Sequence, residues 1–279
     1  MTQPLLSLSL TVSYRNRSDV LKNAFLQMRQ GEVLGLIGQS GSGKSTLALS
    51  ILRLLELKGG KAKGSILFQG RDLLQVKERK MRELRGRDIG LVLQSPLSSL
   101  NPALRIGTQL LEAWNAHSSG ARQDGQKRIE EALSSVALPN DKEFLRRFSS
   151  QLSVGQAQRV LIAMAIIHRP TLLIADEPTS ALDVITQAEV LSLFRKLNQE
   201  LGTGILYISH DLLSVSSICD RIAILNEGEI VECGPTGQIF NHPGHAYTRK
   251  LIEALPEKPT LLHNQAFQGV IKPGVLTVQ

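Results

Sequence analysis

The stretch Gly-Gln-Ser-Gly-Ser-Gly-Lys-Ser-Thr at residues 38–46 decides the fold that this sequence predicts. It matches the pattern G-x-x-x-x-G-K-[ST] in full, and it lies between an apolar run at 33–37 and a helical pattern at 44–52. Glycines let backbone N–H groups curl around phosphate oxygens, and the N-terminus of the following helix adds about half a positive charge. Because a strand leads into this loop and a helix leaves it, we interpret it as a phosphate-binding loop rather than a Gly/Ser-rich turn.

The residue types in and beyond this loop have distinct expected roles. Lys44 is expected to reach the β- and γ-phosphates of a nucleotide, and the Ser45 hydroxyl is expected to bind Mg²⁺. The apolar run Leu-Leu-Ile-Ala ends at Asp176, where a carboxylate could bind the metal, often through water. Glu177 follows where a general base could polarise a water for attack on the γ-phosphate. Pro178 favours extended backbone at Glu177, so we expect both acids to project from a strand end.

Further apolar runs predict a mostly parallel sheet. They lack alternation, which is typical of strands covered on both faces, and they occupy residues 33–37, 89–93, 172–175 and 205–208. Two later runs, 221–225 and 229–232, flank Asn-Glu-Gly and predict a hairpin. Residues 103–150 are rich in helix formers and charge, with an amphipathic pattern at 126–137, and predict an inserted, mostly helical subdomain over residues 95–166.

Composition and charge limit the class of protein. A chain of 279 residues with 42% hydrophobic content is long enough for one large or two small globular domains. The longest purely apolar run, 160–167, is too short to cross a bilayer, which needs about 20 residues. The N-terminus shows no signal-peptide pattern, and two cysteines cannot form a disulfide framework or a four-thiolate metal site.

The net charge of +7 would suit nucleic acid, anionic lipid or phosphorylated ligands. Much of this charge lies at residues 77–87, where Glu78 and Glu83 are interleaved with basic residues and no aromatic side chain is available to stack on bases. We therefore interpret this cluster as a solvated helix face rather than a nucleic-acid patch.

In order along the chain, the motifs resemble those of an ATP-binding cassette (ABC) ATPase, and the resemblance covers nearly the whole sequence. Gln94 resembles the Q-loop glutamine, which in the family senses Mg²⁺ and the attacking water. Leu-Ser-Val-Gly-Gln at 152–156 resembles the signature Leu-Ser-Gly-Gly-Gln, and Asp183 in Ser-Ala-Leu-Asp resembles the D-loop. His210 resembles the switch histidine that contacts the γ-phosphate, and Tyr14 an aromatic that stacks on adenine. Alone, Tyr14 would be an ordinary strand aromatic and His210 a satisfied polar residue.

This resemblance implies an ABC ATPase fold of the phosphate-loop NTPase class, with ATP and Mg²⁺ as ligands. It implies a head-to-tail dimer, in which each ATP lies between the phosphate loop of one subunit and the signature of the other. The implied nucleotide-contacting residues are Tyr14, Gly38, Gln39, Ser40, Gly41, Ser42, Gly43, Lys44, Ser45, Thr46, Gln94, Ser153, Gly155, Gln156 and Asp183. The implied catalytic residues are Lys44, Glu177 and His210, and the implied metal-binding residues are Ser45, Gln94 and Asp176.

The expected domains are an ATPase domain at 1–240, with core 1–94 and 167–240 and helical subdomain 95–166, and a C-terminal extension at 241–279.

The signature departs from the family pattern at one position. Ser153 and Gln156 form a capping-box pattern ahead of a helix expected at 154–167, so Ser153 would cap that helix or offer its hydroxyl to the γ-phosphate. Gly155 is expected to need close backbone approach. Val154 stands where the family has another glycine, and because valine tolerates helical φ/ψ at modest cost, we expect a working signature, with a degenerate site as the alternative.

Two stretches resemble bacterial peptide and nickel importers, namely the Q-loop continuation at 94–102 and the tail at 234–256. The resemblance implies a peripheral protein at the cytoplasmic face of the inner membrane. Its implied partners are two transmembrane permease subunits, a second ATPase subunit (identical or paralogous) and, indirectly, a substrate-binding protein. No cysteine follows Cys233, so we expect no iron–sulfur centre. His242 and His245 lack carboxylate or thiolate company, and we interpret them as tail packing rather than nickel ligands.

The alternative is a non-transport ABC ATPase that acts on DNA or ribosomes. A chromosome-maintenance ATPase would carry a long coiled coil between the phosphate loop and the signature, and this sequence has no heptad run of that length. A translation-associated protein usually carries two cassettes, whereas this sequence has one phosphate loop. We therefore expect no nucleic-acid partner.

Overall fold

The computed structural model describes residues 3–15, 17–118, 120 and 122–255. In these ranges the strands are β1 (Leu6–Tyr14), β2 (Arg17–Met28), β3 (Val33–Ile37), β4 (Gly60–Phe68), β5 (Arg71–Asp72), β6 (Ile89–Val92), β7 (Leu172–Asp176), β8 (Gly204–Ser209), β9 (Arg221–Asn226) and β10 (Glu229–Pro235). The α-helices are α1 (Lys44–Ile51), α2 (Glu78–Leu84), α3 (Pro96–Ser99), α4 (Ile106–Asn115), α5 (Arg122–Ser135), α6 (Lys142–Arg146), α7 (Val154–Ile166), α8 (Val184–Leu201), α9 (Leu212–Ile218), α10 (Thr236–Asn241) and α11 (Ala246–Glu253). Short 3₁₀ helices lie at Leu55–Lys58 and Ser149–Gln151.

Two sheets form the frame of the molecule. The larger has the strand order β10-β9-β3-β8-β7-β6, and its strands from β9 to β6 are parallel, while β10 pairs antiparallel with β9. The smaller, antiparallel sheet has the order β2-β1-β4-β5. The prediction of a mostly parallel sheet with an antiparallel hairpin at its end is confirmed.

The parallel sheet separates two hydrophobic clusters, which explains why its strands are continuously apolar. Alternate side chains of a strand point to opposite faces. In β3, Val33 and Ile37 pack into a cluster with the helices α4 to α9, whereas Leu34 and Leu36 pack into a second cluster with α1 and the antiparallel sheet. Because both faces of β3 are covered, the strand has no polar side and all its residues are buried.

Helices α3 to α7 lie between β6 and β7, within the stretch for which an inserted helical subdomain is expected. The amphipathic α5 buries Ile129 and Leu133 against the larger cluster. Helix α7 carries the longest apolar run of the sequence and buries Val160 to Ala163, so its C-terminal half belongs to the core. It ends at Ile166, one residue before the predicted end.

Within the basic stretch at 77–87, residues Glu78–Leu84 form α2, and the charged side of this helix faces solvent. Met81 and Leu84 are buried beneath it. On its outer side Lys80 pairs with Glu83 at 2.7 Å, and Arg85 pairs with Glu78 at 2.6 Å. These surface pairs engage two of the basic side chains with glutamates of the same stretch, as expected of a solvated helix face.

The chain beyond β10 continues into α10 and α11. Glu232 holds the start of α11, because its carboxylate accepts hydrogen bonds from the N–H groups of Gly244 (2.7 Å) and His245 (3.0 Å). Residues 256–279 of the expected extension lie outside the described residues. Within the described ranges, no helix combines the length and apolarity needed to span a bilayer.

The packing of β3 against α9 gives a prediction on stability. A Cβ atom on Gly35 would lie 2.4 Å from Val215 Cγ1 and 3.0 Å from Cys219 Sγ, so Gly35→Ala should overpack the core and lower the free energy of unfolding by about 1–3 kcal/mol. Gly237→Ala in α10 is the matched control, because the added methyl group would meet no atom within 4 Å, and it should leave stability unchanged or slightly raised. Urea unfolding of both variants measures this difference, and equal midpoints would contradict it.

Candidate active site

The loop at 38–46 wraps around its own lysine. Helix α1 begins at Lys44 after Gly43, whose φ of 114° is a left-handed conformation that favours glycine. A Cβ on Gly43 would also lie 2.7 Å from Leu21 Cδ2. The side chain of Lys44 is only 6% exposed, and its Nζ donates hydrogen bonds to the carbonyl oxygens of Gly38 (2.8 Å) and Gln39 (3.1 Å).

Glu177 lies at the centre of the catalytic residues expected from the sequence. Gln94 Nε2 donates a 3.0 Å hydrogen bond to Glu177 Oε2, and His210 Nδ1 lies 3.3 Å from the same oxygen. Lys44 Nζ lies 3.9 Å from Glu177 Oε1. The fold therefore brings together four expected site residues that are up to 166 positions apart, counted from Lys44 to His210.

The backbone at Glu177 differs from the prediction. Its φ is +48°, a left-handed conformation, and not the extended one expected from Pro178. The Glu177 N–H donates to the Ile208 carbonyl at 2.9 Å, and the Glu177 carbonyl accepts from the Ser180 N–H at 3.3 Å. Through these two bonds, Glu177 is both the end of the β7–β8 hydrogen-bond ladder and the first residue of a turn. Pro178 disfavours right-handed helical geometry at Glu177. Such strain is typical of functional sites.

Burial sets the charge balance around Lys44 and Asp176. It lowers the pKa of Lys44, and the nearby charges of Glu177 and Asp176 partly oppose that shift. Burial also raises the pKa of Asp176, against which a hydrogen bond from Ser45 acts. The site therefore stabilises neither charge fully by itself, and an added cation beside Asp176 would favour its carboxylate form.

The donor set fits Mg²⁺. Asp176 Oδ1 is buried without a hydrogen-bond partner among the residues that the structure describes. A carboxylate and a hydroxyl are oxygen ligands of the kind that Mg²⁺ prefers, and Ser45 stands beside Asp176.

Tyr14 faces the phosphate loop across a cavity of about 420 Å³. The cavity is lined by Tyr14, Val20, Ser40, Gly41, residues 43–46, Gln94 and Glu177. Tyr14 Oη lies 3.3 Å from Thr46 Oγ1, so the side chain stands at the rim of the loop. Sequence reasoning missed Val20, since an apolar residue at the start of a strand carries no distinguishing signal.

A second cavity, of about 410 Å³, lies on the other side of Glu177. It is lined by Ile37, Gly38, Gln39, Ser40, Glu177, His210 and Leu251. Leu251 comes from α11 and was also missed by sequence reasoning. The tail motif that contains it was recognised, but its position beside His210 depends on how α11 packs.

The signature residues form a separate group. Ser153 Oγ accepts from the Gln156 N–H at 3.1 Å and Gln156 Oε1 accepts from the Ser153 N–H at 3.1 Å, so the predicted capping box is present. Asp183 caps α8 by accepting from the N–H groups of Ile185 (3.1 Å) and Thr186 (3.0 Å), and bonds from Thr186 lower its pKa. None of Ser153, Gly155, Gln156 and Asp183 lines the two cavities above, so the described chain does not bring them to its own phosphate loop.

Gly155 lies close to another helix of the same chain, and its expected approach to a nucleotide stays a prediction. A Cβ on Gly155 would lie 2.7 Å from Thr186 Cγ2, at the first turn of α8. The Thr186 side chain cannot turn away freely, because its hydroxyl donates to Asp183 Oδ2 at 2.8 Å. Val154 itself is partly exposed.

The sequence matches the model of the ABC transporter family over residues 21–180. The chain belongs to the ABC transporter family. Residues 231–266 of this ABC protein also match the C-terminal region of oligopeptide/dipeptide transporters.

Curated relatives of this ABC protein carry names of ATP-binding proteins of import or transport systems. It is 40% identical over 245 residues to the glutathione import ATP-binding protein GsiA of Salmonella typhimurium, a match that covers 86% of this chain and 39% of the relative. It is 39% identical over 245 residues to the oligopeptide transport ATP-binding protein OppD of Bacillus subtilis, covering 88% of this chain and 68% of the relative. The chain thus spans well under half the length of GsiA.

Solved structures show the same fold. A dimeric ATP-binding cassette in a post-hydrolysis state bound to ADP and Pi superposes with a TM-score of 0.71 at 28% identity, covering 83% of this chain and 98% of that one. A subunit of the ABC transporter complex cbiONQ from Clostridium perfringens superposes with a TM-score of 0.74 at 28% identity, covering 91% and 97%. The predicted ABC ATPase fold is confirmed.

The contact between Gly155 and Thr186 can be tested by a compensating pair of substitutions. Gly155→Ala should lower the free energy of unfolding by about 1–3 kcal/mol, because the new methyl group overlaps Thr186 Cγ2. Adding Thr186→Ser removes that carbon but keeps the hydroxyl for Asp183, and should restore most of the loss. Urea midpoints of the two variants and of Thr186→Ser alone give the comparison. A double variant as unstable as Gly155→Ala would show that another contact demands the glycine.

Proposed function

We propose that this chain is the ATP-binding subunit of a bacterial ABC importer, which hydrolyses ATP to drive uptake of peptides, nickel or a related small solute. The observation that carries the proposal is the convergence of Lys44, Gln94 and His210 on Glu177 beside a complete phosphate loop. The printed names of GsiA (glutathione import) and OppD (oligopeptide transport) and the match at 231–266 support peptides as the substrate class, while nickel rests on the sequence resemblance.

The geometry supports a mechanism of positioning and charge stabilisation. The loop N–H groups and the N-terminus of α1 would bind the phosphates, and Lys44 would exchange the Gly38 and Gln39 carbonyls for phosphate oxygens. Glu177 would orient a water for attack and accept its proton, while His210 and Gln94 hold its carboxylate.

Three of the proposed site residues would hold Mg²⁺: Ser45, Asp176 and Gln94. When bound, the ion neutralises charge on the transferring phosphoryl group. The unpartnered Oδ1 of Asp176 supports this assignment, since a buried carboxylate oxygen needs a hydrogen-bond donor or a cation.

The proposed dimer completes the site from a second cassette subunit, identical or paralogous. In it Ser153, Gly155, Gln156 and Asp183 would close over the ATP held by the other subunit's loop. Their separation from the cavities of their own chain supports this arrangement. So does the exposure of Val184 (83%) and Ile185 (75%) beside Asp183, since exposed apolar side chains often mark an interface.

The remaining proposed partners are two transmembrane permease subunits and, through them, a substrate-binding protein, with this chain bound at the cytoplasmic face of the inner membrane. The proposed division of the chain is an ATPase domain at 1–240, with its helical subdomain at 95–166, followed by the extension at 241–279. An ATPase acting on DNA or ribosomes is less well supported, because the C-terminal match and the names of the relatives both point to transport.

The role of Glu177 can be tested with two contrasting substitutions. Glu177→Gln should retain ATP binding and lose at least about 100-fold in turnover, because the amide cannot accept the proton of the attacking water. Lys44→Ala should weaken ATP binding itself. Nucleotide titration and phosphate release separate the two effects, and normal turnover of Glu177→Gln would remove Glu177 from the role of base.

The importer assignment is tested by purification from membranes. The full chain, expressed with its native genomic neighbours and extracted in mild detergent, should co-purify with two polytopic membrane subunits identified by mass spectrometry. Addition of the cognate binding protein should raise the ATP turnover of that complex. Stimulation by DNA or ribosomes instead, with no membrane subunit attached, would favour the alternative.

A further inference from the structure

His210 depends on its backbone for its position. Its side chain is 60% exposed, so little packing holds the ring whose Nδ1 lies 3.3 Å from Glu177 Oε2. On one side of it, Ser209 is buried at the end of β8. On the other side, Asp211 must hold the chain as it leaves the sheet.

Asp211 is held in place by several bonds. Its N–H donates to Ser209 Oγ at 3.0 Å, and its carboxylate caps α9 by accepting from the N–H groups of Leu213 (2.9 Å) and Ser214 (3.3 Å). One further donor comes from a distant part of the chain: Gln187 Nε2 donates a 3.0 Å hydrogen bond to Asp211 Oδ2.

Gln187 stands on a rigid element. It lies in the first turn of α8, and its N–H donates to the Asp183 carbonyl at 2.8 Å. The same turn is fixed by the cap from Asp183 and by the contact of Thr186 with Gly155. The backbone of Gln187 is therefore fixed, and the bond from its amide to Asp211 Oδ2 links this turn of α8 to the start of α9.

We propose that Gln187 is a positioning residue for ATP hydrolysis, which acts through Asp211 on His210. Gln187 belongs to none of the sequence motifs of the site, and it contacts neither Glu177 nor the phosphate loop in the described structure. Its amide fixes the carboxylate of Asp211, the Asp211 backbone fixes the start of α9, and His210 is thereby held against Glu177. The inference rests on the proposed ATPase function.

The first experiment is kinetic and uses the full chain. Gln187→Leu keeps the approximate size of the side chain and removes the donor, and should lower kcat for ATP hydrolysis about 3- to 10-fold. This is less than the roughly 10- to 150-fold worth of one hydrogen bond to a charged group, because Gln187 acts on the reacting atoms only through Asp211 and His210. The KM for ATP should stay within about twofold, because no nucleotide contact is lost. Glu189→Gln is the matched control: it lies on the same helix and loses its 2.7 Å pair with Arg159, but it does not contact Asp211, and kcat should not change.

A double-mutant cycle then separates positioning from general loss of structure. If Gln187 acts through His210, adding Gln187→Leu to His210→Ala should not lower kcat any further. If the two residues act independently, the fold-losses in kcat of the two single variants should multiply in the double variant. Single-turnover hydrolysis with protein in excess over labelled ATP follows even slow variants. An equal fold-loss in both backgrounds, an unchanged kcat for Gln187→Leu, or a loss confined to KM would overturn the proposal.

A spectroscopic measurement distinguishes failure of the inference from failure of the proposed function. In ¹⁵N-histidine spectra, the His210 ring signals, assigned by their absence in His210→Ala, should shift in Gln187→Leu and stay in place in Glu189→Gln. This readout needs no turnover. Absence of ATPase activity in the complex of this chain with its second cassette subunit and permease subunits would refute the proposed function, whereas an unmoved His210 signal would refute the positioning role.

Discussion

The carboxylate of Glu177, held between the ends of its two neighbouring strands, is the interaction on which the site depends. In the strand order β3-β8-β7-β6, the phosphate loop follows β3, His210 follows β8, Glu177 follows β7 and Gln94 follows β6. Because parallel strands lie about 4.8 Å apart and end at the same edge, adjacent strands deliver side chains within hydrogen-bond reach of each other. The contacts of Glu177 with Gln94 and His210 are thus a direct consequence of strand order. Inserting a strand between β7 and either neighbour would separate them.

The buried charges beside this carboxylate explain why the edge is prepared for a phosphate and a cation together. Lys44 is buried against carbonyl oxygens, and burial lowers its pKa, whereas Asp176 is buried with an unpartnered oxygen, and burial raises its pKa. Each group would gain from a ligand of opposite charge. A phosphate would satisfy the lysine and a divalent cation would satisfy the aspartate, so the proposed Mg²⁺–nucleotide would relieve both costs of burial at once.

Local sequence predicted those parts of the site that local chemistry determines. The phosphate loop, the strand that leads into it and the capping box of Ser153 and Gln156 depend on neighbours within a few positions, and each is found as expected. The conformation of Glu177 was predicted wrongly, because the preference imposed by Pro178 is local, whereas the bond to the Ile208 carbonyl that helps set the left-handed turn comes from another strand. Gln187 could not be found for the same reason, since its partner is 24 residues away. The predicted roles of Lys44, Ser45, Asp176 and Glu177 follow from the chemistry of these residue types in this pattern, whereas those of Gln94, His210 and Tyr14 follow from the family resemblance.

The first turn of α8 shows how the two groups of site residues are tied together in one chain. Thr186 contacts Gly155 at the N-terminus of α7, and the next residue, Gln187, binds Asp211 beside His210. Since consecutive residues of a capped helix turn cannot move independently, the position of the signature end of α7 relative to the catalytic edge is fixed through two adjacent side chains. The glycine at 155 is then required for a reason besides any approach to a nucleotide, because a larger residue would displace α8 and with it the donor to Asp211. The packing of Gly155 against Thr186 and the position of Asp211 beside His210 therefore both depend on the first turn of α8.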